Sequence, residues 1–198
     1  EIREILPGFL FEELRAIKKP SRIFWGSTFE LFHDSIPDLW RKDIFAMVGQ
    51  FPQHTHIFLT KKPQNLSKWN PFSENCWVGV SVTANGDMTL ALTHLVNIKA
   101  KVRFISFEPL LGAIGMNDHM SMKGVIDWVI IGAQSPYNKK TFPKWEWVKE
   151  IIDACDKASI PVFLKNNLMP LFQVPDKPYA FVMPKWANNG KNLRQEFP

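Results

Sequence analysis

Three features of the sequence predict an α/β fold with a parallel sheet, built as a TIM-like (β/α) barrel or partial barrel of about six strands. The first is a series of near-continuous apolar, β-branched runs, the text of strands covered on their faces by helices. The second is the helical periodicity of the segments between them, with the strands recurring at intervals of about 20 to 35 residues. The third is an absence. No strand-to-helix turn carries a G-x-G-x-x-G or P-loop fingerprint, which weighs against an ordinary nucleotide-binding open sheet.

Residues 1–19 are helical text broken by Pro7 and Gly8, with Phe11, Leu14 and Ile17 on one face. SRIFWGS, 21–27, reads as the first strand, and the loop behind it carries Glu30 and His33. Ser35 to Asp38 resembles a capping box with Pro37 in the first turn, opening a helix that sets Trp40, Ile44, Met47, Val48 and Phe51 on one stripe. HIFLTKK, 56–62, is a second strand, followed by a short helix near 63–69. CWVGVSV, 76–82, is a third, tipped by Ser81 and Thr83, and a helix with Met88, Ala91, Leu92, Leu95 and Val96 inward follows.

Residues 101–111, KVRFISFEPLL, hold the fourth strand and anchor the reading. Alternation puts Val102, Phe104, Ser106 and Glu108 on one face. Pro109 has no N–H to give a ladder, so the strand stops with Glu108 at its carboxyl end. A loop or short helix over 111–125 leads to the fifth strand, 126–134, tipped by Gly132 and Gln134. A helix from about Thr141 turns Val148, Ile151, Ile152 and Cys155 inward, and the sixth strand, 160–167, is tipped by Lys165 and Asn166. Residues 168–198 form an irregular, proline-rich tail packed on the rest of a single barrel-type domain, 1–198.

Composition bounds the function. With 45% hydrophobic and 22% charged residues, the 198-residue chain is ordinary for a globular protein with a sizeable core. A net charge of +5 tilts it towards anionic partners, a nucleotide-like substrate or nucleic acid among them. The two cysteines, Cys76 and Cys155, are far apart and outside any CxxC spacing, so they read as reduced core residues of a cytoplasmic protein. No apolar run approaches the roughly 20 residues that span a bilayer, and no His/Cys/Asp cluster has metal-ligand spacing.

The functional signal is positional. Ser27, Thr60 with Lys61, Ser81, Glu108, Gln134, and Lys165 with Asn166 all fall at carboxyl ends of predicted strands, the ligand edge of parallel α/β sheets. An acid that continues a buried strand loses hydration unless it meets a cation or donor, so Glu108 is either a site carboxylate or a structural one that pairs with Arg103 or caps a loop. Lys165 reads as an anion ligand, or as an amine made nucleophilic by burial, or as a solvated loop lysine. His33 reads equally as a functional imidazole or as a packed, hydrogen-bonded one.

The blocks RIFWGSTFELFHDSIPDLW, HIFLTKKPQNL, WVGVSV, VRFISFEPLLG, IDWVIIGAQS, IPVFLKNNL and LRQEFP, spread over residues 20–198, resemble a phage-protein-like family of unknown function grouped with radical S-adenosylmethionine barrels. The resemblance implies S-adenosylmethionine and a [4Fe-4S] cluster as cofactors. The family's three-cysteine cluster motif is not in this sequence, and the reading expects the cluster-bearing segment upstream of Glu1. By strand order the resemblance sets Ser27, Glu30 and His33 near the methionyl end of the cofactor. Ser81, Glu108 and Gln134 then line the same mouth, facing ribose, adenine or substrate; Glu108 and Lys165 are each catalytic candidates, and Thr60, Lys61 and Asn166 face substrate. There are departures: Glu30 stands where aspartate is commoner, Phe107 where cysteine is frequent, and Gln134 where many relatives carry an acid. Two rivals stay open. One is a nucleic-acid-binding or processing partner without redox chemistry, drawn from the basic balance and from Trp69, Trp145 and Trp186 read as exposed. The other is a Schiff-base lyase using Lys165.

Overall fold

The computed structural model describes residues 7–116, 122–171 and 193–198. Its centre is one sheet of six strands: β1 (Arg22–Trp25), β2 (Thr55–Thr60), β3 (Cys76–Ser81), β4 (Val102–Phe107), β5 (Trp128–Ile131) and β6 (Val162–Leu164). Every neighbouring pair is parallel, and the strands lie in the order in which they occur in the chain. A parallel sheet in sequential order is the layout of a (β/α) barrel, and here it forms a curled half-barrel. The expected partial barrel is what the chain builds. The strands are shorter than the sequence predicts, because their polar tips leave the ladder one to three residues early.

Helices α1 (Pro7–Ala16), α2 (Asp38–Gln50), α3 (Asn85–Leu95) and α4 (Trp145–Ala158) accompany the sheet. Ile44, Met47 and Val48 of α2, Met88, Ala91 and Leu95 of α3, and Val148, Ile151, Ile152 and Cys155 of α4 share one buried cluster with Trp25, Phe58, Val78, Val80, Ile105, Phe107, Val129, Ile131, Val162 and Leu164. Those strand residues all point to the helix-covered face, as period-two alternation requires.

The start of α2 departs from the capping-box expectation. Pro37 is the N-cap and makes no side-chain cap, while Ser35 Oγ pairs with His33 Nδ1 at 2.8 Å. Arg41, and not Trp40, is the buried member of the helix's inner stripe. Its guanidinium donates to the carbonyls of Leu31 (2.9 Å), His33 (3.1 Å) and Ile36 (2.8 Å) and to Asp38 Oδ1 (2.8 Å). One planar fork thus ties the loop after β1 to the helix, although as a donor it caps none of the helix's first N–H groups.

The opposite, concave face is layered across the strands. Register aligns Phe24, Ile57, Trp77 and Val102, then Leu59, Gly79, Phe104 and Trp128, then Ser81, Ser106, Ile130 and Phe163. Gly79 is required by its neighbour: a Cβ there would sit 2.4 Å from the Phe104 ring. Residues 193–198 lie antiparallel along β6, with Leu164 N donating to Arg194 O (2.8 Å) and Glu196 N to Val162 O (3.1 Å). Phe197 packs on Trp128 and Phe163 with ring centroids 5.6 and 5.2 Å away, and Arg22 of β1 lies 3.9 Å over its ring. The last residues therefore cover one sheet edge and meet the other, as the curl demands. The rest of the expected tail, 172–192 with Trp186, lies outside the described residues.

Candidate functional site

At the carboxyl ends of the strands the concave face turns from apolar to polar. The ladder runs one residue beyond the regular strands, with Gly132 N donating to Phe107 O and Lys165 N to Ile131 O. That adds a fourth row: Glu108, Gly132, Lys165. Glu108 follows β4 and Lys165 follows β6, with β5 between them. They meet because β5 offers no side chain there. Lys165 Nζ lies 2.5 Å from Glu108 Oε1, and a Cβ at Gly132 would come within 3.1 Å of Glu108 Cδ and Oε1 and of Lys165 Cδ.

The pair is half-buried, with 26% of the Glu108 side chain and 42% of the Lys165 side chain exposed. Neither makes any further described contact, so one carboxylate oxygen and the remaining ammonium protons face the mouth. Beneath them stand Ser81 and the buried Ser106, then the aromatic rings of Phe104 and Trp128. A partly dry floor under a paired acid and base can receive a ligand that carries charges of both signs. Arg103 is not the partner of Glu108: its Nε pairs with Asp127 Oδ2 at 3.3 Å.

The other expected residues form separate groups. Glu30 reaches the tip of β2, where Oε1 accepts from Thr60 Oγ1 (2.6 Å) and Phe32 N (3.2 Å), and Oε2 accepts from Lys61 N (2.8 Å). Thr60 is buried and its hydroxyl also accepts from Lys62 N at 2.8 Å. Both side chains are thus engaged in fixing the loop after β1 on β2, while Lys61 is exposed. Gln134 Oε1 accepts from Thr141 Oγ1 (2.6 Å), and Asn166 Oδ1 accepts from Gln195 Nε2 (3.0 Å). Ser27 and His33 are exposed on the loop after β1.

Two residues escaped the sequence reading. Asn167 brackets Ala133 through both backbone groups, at 3.0 and 2.8 Å, and so locks the tip of β5 beside Gly132. Its signal was the Asn166-Asn167 doublet, of which only the first member was taken. Arg41 gave no signal, because a lone arginine at helical spacing reads as surface. Trp69 and Trp145, expected to be exposed, are half-buried against the core. Trp69 packs on Phe45 at 5.4 Å, with the Arg41 guanidinium 5.3 Å from its ring.

The electrostatics elsewhere are structural. Hydrogen bonds from Arg41 and Lys68 hold the Asp38 carboxyl down to about 2. Burial pushes the thiols of Cys76 and Cys155 up to about 11 and about 12. Two clefts, of about 510 Å³ beside α4 and about 330 Å³ beside Arg41 and Trp69, are lined by neither Glu108 nor Lys165. Among the described residues no group of three or more His, Cys, Asp and Glu side chains is placed to hold a metal ion, and no helix is long and apolar enough to cross a membrane.

A family model described as "Protein of unknown function (DUF5131)" matches residues 7–169. The match takes in all six strands and the Glu108–Lys165 pair. No curated protein and no solved structure matches the chain.

Proposed function

The chain belongs to the DUF5131 family of proteins of unknown function, and on that premise we propose that it forms the ligand-binding half-barrel of a radical S-adenosylmethionine-like enzyme. The radical S-adenosylmethionine link and the phage kinship rest on the sequence blocks, FEPLLG and LRQEFP most of all. One observation carries the ligand reading: an acid and a lysine from two non-adjacent strands meet over a bare glycine at the ligand edge of a parallel sheet.

The methionyl end of S-adenosylmethionine carries an ammonium and a carboxylate. Glu108 is suited to take the first and Lys165 the second, each exchanging its present partner for a ligand group of the same charge sign. S-adenosylmethionine supplies the reactive sulfonium. The chain's residues bind it, orient it and keep water from it. The [4Fe-4S] cluster does not fit the residues described. Cys76 and Cys155 are both buried with thiols held protonated, and neither has a second ligand beside it. Schiff-base chemistry is less favoured, because Lys165 is held by a carboxylate and half open to water, where a nucleophilic amine needs an apolar pocket.

Equilibrium dialysis of S-adenosylmethionine against the anaerobically prepared protein tests the reading. The wild-type protein should bind, and both Glu108→Gln and Lys165→Met should bind less. Absence of binding by the wild-type protein, or binding indifferent to both substitutions, removes the reading.

A further inference from the structure

The mouth has a second chemistry on its rim. Residues 135–140, SPYNKK, are exposed without interruption on the connection from β5 to α4. Tyr137 is 62% exposed, yet its ring is braced by Phe142 at 5.1 Å between centroids. The loop is pinned to the strand tip by the Gln134–Thr141 hydrogen bond, and Lys140 N donating to Asn138 Oδ1 at 3.0 Å closes a turn within it. Lys139 and Lys140 follow Tyr137 on the same loop with no described side-chain partner, and Lys144 comes next, its Nζ 5.3 Å from the Trp147 ring centroid. At the tip of β2, three strand spacings away or about 14 Å along the sheet, Lys61 and Lys62 also lack described side-chain partners.

We propose that this rim, from the Tyr137–Lys140 loop to Lys61 and Lys62, binds a single-stranded polynucleotide as the substrate of the mouth. The inference deepens the proposed function and rests on it for the chemistry, though not for the binding. Tyr137 offers a stacking face that any base can use, and the lysines on either side offer counter-charges to the phosphates. Glu108 of β4 lies between them along the sheet, with Lys165 reaching it from β6 past Gly132, so a nucleotide held at both flanks would pass over Glu108. An acidic peptide would match the lysines but leave the tyrosine face unused.

Fluorescence anisotropy of a labelled 20-nucleotide thymidine oligomer with the full chain tests this. Binding is expected, and it should weaken steeply between 50 and 200 mM salt, as counterion release requires. Tyr137→Ala should lower affinity about fivefold or more, and Lys139→Ala with Lys140→Ala should flatten the salt dependence. Both variants are at exposed positions, and circular dichroism confirms that they stay folded. No binding, salt-independent binding, an affinity indifferent to Tyr137, or equal competition by duplex DNA or polyglutamate would each overturn the proposal. Failure of the two readings separates on wild-type protein. Dialysis that finds no S-adenosylmethionine beside a bound oligomer removes only the proposed function, and the converse removes only the polynucleotide.

Discussion

Replacing Gly132 by valine tests whether the Glu108–Lys165 pair depends on the bare backbone beneath it. The backbone of Gly132 is not left-handed, so only space is at issue. An added Cβ would lie 3.1 Å from three atoms of the pair, a few tenths of an ångström inside ordinary contact, and valine adds two methyls beyond it. Alanine should shift the two stems slightly, whereas valine should part them. At 26% and 42% exposure the pair is screened by water, so its coupling should amount to about 0.2–1 kcal/mol. The assay is a double-mutant cycle with Glu108→Gln and Lys165→Met, read from urea unfolding by tryptophan fluorescence. It is run once with Gly132 and once with Gly132→Val. The coupling should be present in the first background and vanish in the second. Equal coupling in both, or none with Gly132, would refute the geometry from which the site is built.

Other expected outcomes concern the frame of the site. Gly79→Ala forces the Phe104 ring to move and should cost about 1–3 kcal/mol, whereas Gly49→Ala in α2 meets nothing within 4 Å and should stabilise by about 0.4–1 kcal/mol; thermal melts compare the two. Burial depresses the His56 pKa below 6.5, where the ring accepts from Trp25 Nε1 at 2.9 Å as a neutral imidazole. Its contribution is complete above pH 6.5. It should decline as pH falls below that value, because the unfolded chain takes up a proton that the folded one resists. His56→Gln should flatten urea stability between pH 8 and pH 5.5. Arg41→Ala releases three carbonyls of the loop after β1 and should cost about 3 kcal/mol by urea unfolding. Thiol titration at pH 8 should find Cys76 and Cys155 silent in the native protein and both reactive in urea.

Much of the fold was legible because the signals that define it are local. Six apolar runs with helical spacers gave the parallel sheet, and alternation along VRFISFE placed Phe104, Ser106 and Glu108 on one face. What the sequence lacked was lateral register. Nothing in the text says that Glu108 and Lys165, 57 positions apart, share a row with Gly132, because that depends on how two ladders align across three strands. Nor could spacing show that Glu30 turns back on Thr60 and Lys61, since a loop carboxylate has no periodicity to betray its direction. Arg41 illustrates the same limit. A buried guanidinium is set by carbonyls from a loop whose path only the folded chain defines.

The two edges of the sheet divide the work of the protein. At the amino-terminal edge the polar groups are held by partners within the fold. His54 and His56 are buried, Arg103 is bound to Asp127 and the carbonyl of Gly124, and Arg194 is held between Asp156 and Glu196. Phe197, Trp128 and Phe163 close the concave face from that side, each aromatic pair adding about 0.5–1.5 kcal/mol beyond its buried area. Charges locked in this way stabilise but cannot respond to a ligand. At the carboxyl-terminal edge Glu30, Thr60 and Asn167 are engaged in the same way, but among the described residues Glu108 and Lys165 have only each other, and Lys61, Lys139 and Lys140 have no described side-chain partner. An exchangeable ion pair gives up little when a ligand displaces it, so binding there does not unsettle the fold. Stability concentrated at one edge is what leaves the other free to change partners, and it is there that the family's unassigned activity is to be sought.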